Sequence, residues 1–171
     1  MIYIDEIIKA KVDLAAIELG YPVYFQHGHP LEIVGKLKVM SEAKSTKGLR
    51  YPLVALFRDF NERKGFEVGI ASEADLNLII ATRTEPTYDS DKRKAESFKA
   101  VLHPILEALE KQILIDGRSF LTSGTGLGYT QIDRYFWGRE SIYGVDGNIF
   151  NDYIDCVEIR NLNLKFKTPN C

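Results

Sequence analysis

Two cysteines, Cys156 and Cys171, are too few for a disulfide framework. No run of about eighteen apolar residues is present to cross a bilayer. Charge of one sign is also scarce. Lys plus Arg number 22 against 24 Asp plus Glu, a formal net charge of −2, so no electrostatic surplus drives the chain onto nucleic acid or anionic lipid. The Met1-Ile-Tyr-Ile-Asp start has neither the basic flank nor the apolar run of a signal peptide. A reducing, cytoplasmic origin with no membrane partner is therefore expected. Repeats, low-complexity tracts and a second core are missing as well. What remains is ordinary globular composition, 45% apolar and 27% charged over 171 residues, enough for one compact domain.

Apolar residues Ile4, Ile7, Ile8, Val12, Ala15, Ile17 and Leu19 recur at three- and four-residue steps, which predicts an amphipathic helix over Ile4–Leu19, stopped by Gly20 and Pro22. Short stretches rich in Val, Ile, Leu, Tyr and Phe follow at Val23–Gln26, Glu32–Met40 and Tyr51–Asp59, and each reads as a strand. Ile33, Leu37 and Val39 share parity against Lys36 and Lys38, the pattern of a half-wet strand. Ser41–Arg50 then reads as a polar loop closing a hairpin. After a turn at Asn61–Gly65, Phe66–Ala71 and Leu76–Thr84 are two more predicted strands.

Asp89, Ser90 and Asp91 offer caps for a second helix, and Phe98, Val101, Leu102, Ile105, Leu106, Leu109 and Ile113 form its stripe. Pro104 lies inside this pattern and is expected to bend or divide the helix after Leu102 or His103. In the last strand, Ile154–Lys167, the apolar parity switches from Val157 and Ile159 to Leu162, Leu164 and Phe166. A bulge near Arg160-Asn161 would keep both sets on one face. The expected fold is α+β: a largely antiparallel sheet with the N-terminal amphipathic helix and the second long helix packed on one face. It is a single domain, 1–171, with protruding segments 36–50, a hairpin loop, and 117–150, an extended arm rich in glycine and aromatic residues.

Candidate chemistry is sparse. His27, His29 and His103 supply three imidazoles for a zinc or iron ion, yet Gly28 and Pro30 make the first two turn residues. Ser123-Gly124-Thr125-Gly126-Leu127-Gly128 offers backbone donors for a phosphate but lacks the Lys-Ser/Thr of a nucleotide loop. Asp152, Asp155 and Glu158 form a loosely spaced acidic group with Mg²⁺ chemistry. Cys156 interrupts an apolar strand and reads as a small core thiol. Lys92, Arg93 and Lys94 read as a solvated helix start. No catalytic, cofactor or metal residue is assigned, and a non-enzyme is expected. The alternatives are a small cytoplasmic metal- or nucleotide-binding enzyme and a monomeric adaptor module.

The helix Ile4–Leu19 leading into Gly20-Tyr21-Pro22, the Tyr51-Pro52-Leu53-Val54-Ala55-Leu56 strand after a long polar loop, and the helix from Arg93 to Ile113 together resemble the tail terminator and neck-ring (head–tail connector) proteins of tailed bacteriophages. The order of elements covers Met1–Leu114, with Cys156–Lys167 as the closing strand. Tyr135-Phe136-Trp137-Gly138 and Asn151-Asp152-Tyr153-Ile154-Asp155 are phrases similar to such proteins, whereas the glycine-aromatic arm departs from the small terminator pattern. The resemblance implies a virion structural protein without cofactor, assembled in the bacterial cytoplasm into a homo-oligomeric ring, a hexamer or dodecamer. The ring would join portal, neck or tail proteins, with DNA passing through its lumen. Ring contacts are then expected at Tyr135, Phe136, Trp137, Tyr143, Phe120 and Tyr129 of the arm and at Lys44, Lys47 and Arg50 of the loop. Alanine at Phe136 and Trp137 would weaken association and leave folding intact.

Overall fold

The computed structural model describes residues 3–42, 47–65, 69–121, 126–137 and 153–167. Helix α1 spans Ile4–Leu19, the bounds that its apolar spacing predicts. Gly20 ends it at φ 76°, donating its N–H to the carbonyls of Ala16 and Ile17, a left-handed stop that glycine adopts without steric penalty.

Strand β1 (Tyr24–Gly28), helix α2 (Pro30–Glu42) and strand β2 (Leu53–Phe57) form a β-α-β crossover, with β1 and β2 parallel. The strand expected over Glu32–Met40, and with it the 36–50 hairpin, is therefore corrected: this segment is helical. Its start is built as a helix N-terminus. His29 Nδ1 accepts the Leu31 N–H (3.2 Å) and the His29 carbonyl accepts the Ile33 N–H (3.1 Å). Pro30 stands at the first helical position, where a missing donor costs nothing. The Glu32 carboxylate reaches back over Gly28, so close that a Cβ there would lie 2.6 Å from Oε2. Hydrogen bonds from Lys36 and from the His29 backbone hold the Glu32 carboxyl below its ordinary range. Ile33, Val34 and Leu37 turn to the sheet, and this helical triplet is the pattern that the parity reading overlooked.

Strand β3 (Glu62–Lys64) occupies the expected turn and pairs with β4 (Ile70–Arg83), which runs on through Ser72–Asp75 where a break was expected; Phe66, Glu67 and Val68 of the first expected strand lie outside the described residues. Asp89 caps α3 (Ser90–Arg93) by accepting the Lys92 N–H at 2.8 Å. The chain continues as a π-helical stretch, Lys94–Leu102, and then as α4, His103–Leu114. The division falls where Pro104 predicts it. Proline has no N–H and crowds the carbonyl four residues back, and the wider π turn, in which His103 N–H donates to the Phe98 carbonyl, accommodates it.

Strands β5 (Phe120–Leu121) and β6 (Thr130–Arg134) both pair with β7 (Ile154–Lys167). Among the described residues the sheet order is β1-β2-β4-β7-β5, with β3 on β4 and β6 on β7, and every pairing except β1–β2 is antiparallel. The architecture is α+β. Helix α1, the π stretch and α4 cover one face, closing a core of Val54, Leu56, Leu76, Leu78, Ile80 and the β7 apolar residues. Helix α2 covers the other face, over Leu53, Ala55, Ile79 and Ala81. The bulge in β7 is present. Leu78 faces Ile159 while Leu76 faces Leu162, and Asn161 adopts φ 56°, so all five apolar residues of both parities enter the same core.

Asp116 fastens the turn after α4. Its Oδ1 accepts the N–H groups of Arg118 and Ser119, each at 3.1 Å, and its Oδ2 pairs with Lys11 of α1. Burial pushes the carboxyl up, but the Lys11 and Ser119 hydrogen bonds outweigh it and leave the group well below the usual aspartate range. A depressed folded-state value stabilises the fold above the unfolded value near pH ~4 and loses that contribution as pH falls below it. We expect Asp116→Asn to cost about 1–3 kcal/mol at neutral pH, with the gap to wild type closing below pH ~4. Urea titrations at both pH values check this, and a gap independent of pH would refute it.

Candidate functional site

The root of the glycine-aromatic arm is fastened by two charged clusters. Arg93, at the end of α3, is 2% exposed. Its Nη1 donates to Asp155 Oδ1 (2.8 Å) and Thr84 Oγ1 (3.1 Å), its Nη2 to the Glu85 carbonyl (3.1 Å) and its Nε to the Tyr88 carbonyl (3.1 Å). The guanidinium lies 3.8 Å from the centre of the Phe136 ring. Phe136 holds φ 50°, an uncommon conformation for a non-glycine residue, and its N–H donates to the same Asp155 oxygen at 3.3 Å.

One residue on, Trp137 is 2% exposed and packs in the α2-side core beside Ile154 and Cys156. Its main-chain N–H donates to the Ile154 carbonyl (3.0 Å) and its indole N–H to Glu158 Oε1 (3.2 Å). Glu158 also pairs with Arg134 (2.7 Å) and Arg160 (2.8 Å). Carboxylates buried this deeply must be paired, and here the arm's own root supplies part of the pairing. Burial, reinforced by the Glu158 charge, pushes the Cys156 thiol well up, as befits the core residue expected from the sequence.

A cleft of about 660 Å³ opens where the parallel β1 and β2 end, between the N-terminus of α2 and the β7 bulge; His29, Phe57, Asp59, Asn77, Ile79 and Arg160 are among its lining residues. The ends of parallel strands are a common ligand position in β-α-β folds. The outward helix faces are apolar instead. On α1, Leu14 and Ile17 are exposed, Ile17 to 76%, and Leu114 and Ile115 at the end of α4 join them. The Glu18–Lys111 pair (2.6 Å) and the Lys11–Asp116 pair bracket these four residues. On the other side of the sheet, Leu31 and Val39, two helical turns apart on α2, are exposed together with Leu49.

The residues singled out from the sequence scatter. Trp137, Phe120 and Arg50 are corrected from exposed contact residues to buried ones, at 2%, 1% and 1% exposure. Phe120 packs at a tilt against Phe166 in the main core, ring centres 5.3 Å apart. Arg50 donates to the Leu37 carbonyl (3.4 Å), fastening the far end of α2. Phe136 is half-buried over Arg93, and Tyr129 is half-buried with its hydroxyl donating to Glu110; burial first and that carboxylate second push its pKa up. Tyr135 is exposed to 46% and touches Phe98. Lys47 begins a 3-10 turn, Lys47–Leu49. Lys44 and Tyr143 lie outside the described residues, as do Ser123, Gly124, Thr125 and Asp152. The described part of the 117–150 arm runs as β5 and β6 on the molecule's own sheet.

Asp155 and Glu158 are consumed by arginines, so the acidic group is a pair of structural ion clusters. Arg93 likewise is no solvated helix start. His27 lies 3.5 Å from Asp5 and His103 3.3 Å from Asp133, and among the described residues no group of three His, Cys, Asp or Glu is placed to hold a metal ion. Among them, too, no helix is long and apolar enough to cross a membrane. No protein-family model matches the chain, and no curated protein matches it.

Proposed function

We propose that this chain is a virion structural subunit of a tailed phage, working by assembly into a homo-oligomeric ring at the neck or tail and joining portal-proximal and tail components. The observation that carries the assembly reading is the pair of exposed apolar faces on opposite sides of the sheet: Leu14, Ile17, Leu114 and Ile115 on one, Leu31, Val39 and Leu49 on the other. Several large apolar side chains exposed on one side of a fold suit a contact surface. A ring contact joins one surface to a different surface on the next copy, and α1 and α2 flank the same edge strand, β1, from its two sides, so both apolar faces border one such contact. The phage station rests on the resemblance in the order of elements. Tyr135 remains a surface anchor in this reading, whereas Trp137, Phe120 and Arg50 serve the subunit's own fold.

The test is mass in solution. Light scattering should give a multiple of the monomer mass at micromolar concentration, and Ile17→Glu combined with Val39→Glu should return the monomer with unchanged circular dichroism. A chain that stays monomeric at every concentration overturns assembly. That outcome would favour a second reading, a monomeric binding module, for which the cleft beside α2 is the supporting observation.

A further inference from the structure

Among the described residues both ends of the sheet are open. At one end is β1 and at the other, along the first half of β7, is β6; among the described residues no strand pairs with the outer side of either. Tyr24 N–H donates to the Pro52 carbonyl (2.8 Å) and Arg58 N–H to the Gly28 carbonyl (3.2 Å). In a parallel ladder alternate residues bond to the same neighbour, so Tyr24, Gln26 and Gly28 face β2. The N–H and C=O groups of Phe25 and His27 therefore point outward. Natural edge strands are usually blunted by lysine, proline, a bulge or a covering element. β1, Tyr-Phe-Gln-His-Gly, carries no proline, lysine, arginine or carboxylate.

Directions match as well as lengths. β1 and β2 run one way, β4 the opposite way, β7 back again and β6 opposite to β7. The two edges are thus antiparallel to one another and each is five residues long. In a ring, every copy presents β1 in the same sense, so β6 of one copy meets β1 of the next as an antiparallel pair. The faces match too. Phe25 and His27 share the α1 side through Val54 and Leu56, and Gln131 and Asp133 share it through Ile159 and Val157. On the opposite side Tyr24 and Gln26 correspond to Ile132 and Arg134. Joined this way, the Asp133 carboxylate comes to the same face as the His27 imidazole, a charged edge against one without fixed charge.

Resting on the ring reading above, we infer that the contact between copies is main-chain pairing of the β6 edge with the β1 edge of a second copy, giving one sheet continuous around the ring. The exposed apolar faces of α1 and α2, which flank β1, buttress that junction.

Light scattering on the wild type comes first, since a monomer there overturns the ring reading itself. With an oligomer in hand, His27→Pro removes an outward N–H that β2 does not use, and we expect at least a tenfold loss of oligomer at equal concentration with the circular dichroism unchanged. A folded His27→Pro protein that keeps the wild-type mass overturns edge pairing and leaves assembly standing. Hydrogen exchange on the unmutated oligomer reads the same contact without substitution. The Phe25 and His27 amides, which β2 does not use, should exchange roughly 100-fold more slowly than unprotected amides. Exchange of these amides at the unprotected rate overturns the inference even if the proline variant fails to fold.

Discussion

Arg93→Ala is expected to lower the unfolding free energy by about 3–5 kcal/mol, the cost of stranding a buried carboxylate without its partner. Asp155 is fully buried and Arg93 nearly so, so water cannot replace the lost charge. The same substitution abandons the Glu85 and Tyr88 carbonyls and the Thr84 hydroxyl, all of which the guanidinium holds at 3.1 Å. It also frees the Phe136 ring. A guanidinium and a carboxylate are costly to bury together, so the double variant Arg93→Met, Asp155→Leu should recover much of the loss. Guanidinium denaturation of the two variants beside the wild type checks both statements. A single-variant loss under ~1 kcal/mol would place the pair among weak, solvent-screened bridges and refute the cluster's role.

Trp137→Ala should cost about 3–5 kcal/mol of stability, the range for removing a large aromatic from a packed core. This outcome is opposite to the one the sequence alone suggested, in which Trp137 anchors a neighbour and its loss spares the fold. The indole fills space against Ile154 and Cys156, and its N–H satisfies Glu158. Trp137→Phe keeps most of the buried area but drops that hydrogen bond, so a smaller loss of about 1–2 kcal/mol is expected. Tyr135→Ala, at a side chain exposed to 46%, should change stability by no more than ~0.5 kcal/mol. If Trp137→Ala melts like wild type while Tyr135→Ala unfolds, the burial order of the arm root is wrong.

Local signals were legible. The α1 bounds, the Gly20 stop, the Asp89 cap, the division at Pro104 and the β7 bulge are each settled by residues within a few positions of one another. The failures also have a local cause. Over Glu32–Met40 two periods compete. Ile33, Leu37 and Val39 satisfy a strand's alternation, while Ile33, Val34 and Leu37 satisfy a helix's stripe. The capping set of His29, Pro30 and Glu32 was the signal that decides for the helix. Ser72, Glu73 and Asp75 dilute the apolar pattern in the first half of β4, although there it is paired on both sides, by β3 and β7.

The contact residues were the least legible. Glycine and aromatics mixed in 117–150 look the same whether the rings meet a neighbour or the chain's own sheet.

By itself the sequence determined an α+β domain with its first helix, its capped and proline-divided second helix and its bulged last strand, because each follows from spacing, capping and steric rules that act over one or two turns. Tertiary structure alone decided that Arg93 meets Asp155 across 62 residues, that Trp137 belongs to the core, and that among the described residues two strand edges stand open at opposite ends of the sheet. Those outcomes depend on which surfaces are brought together when the chain closes, and partners distant along the chain leave no periodic trace in it.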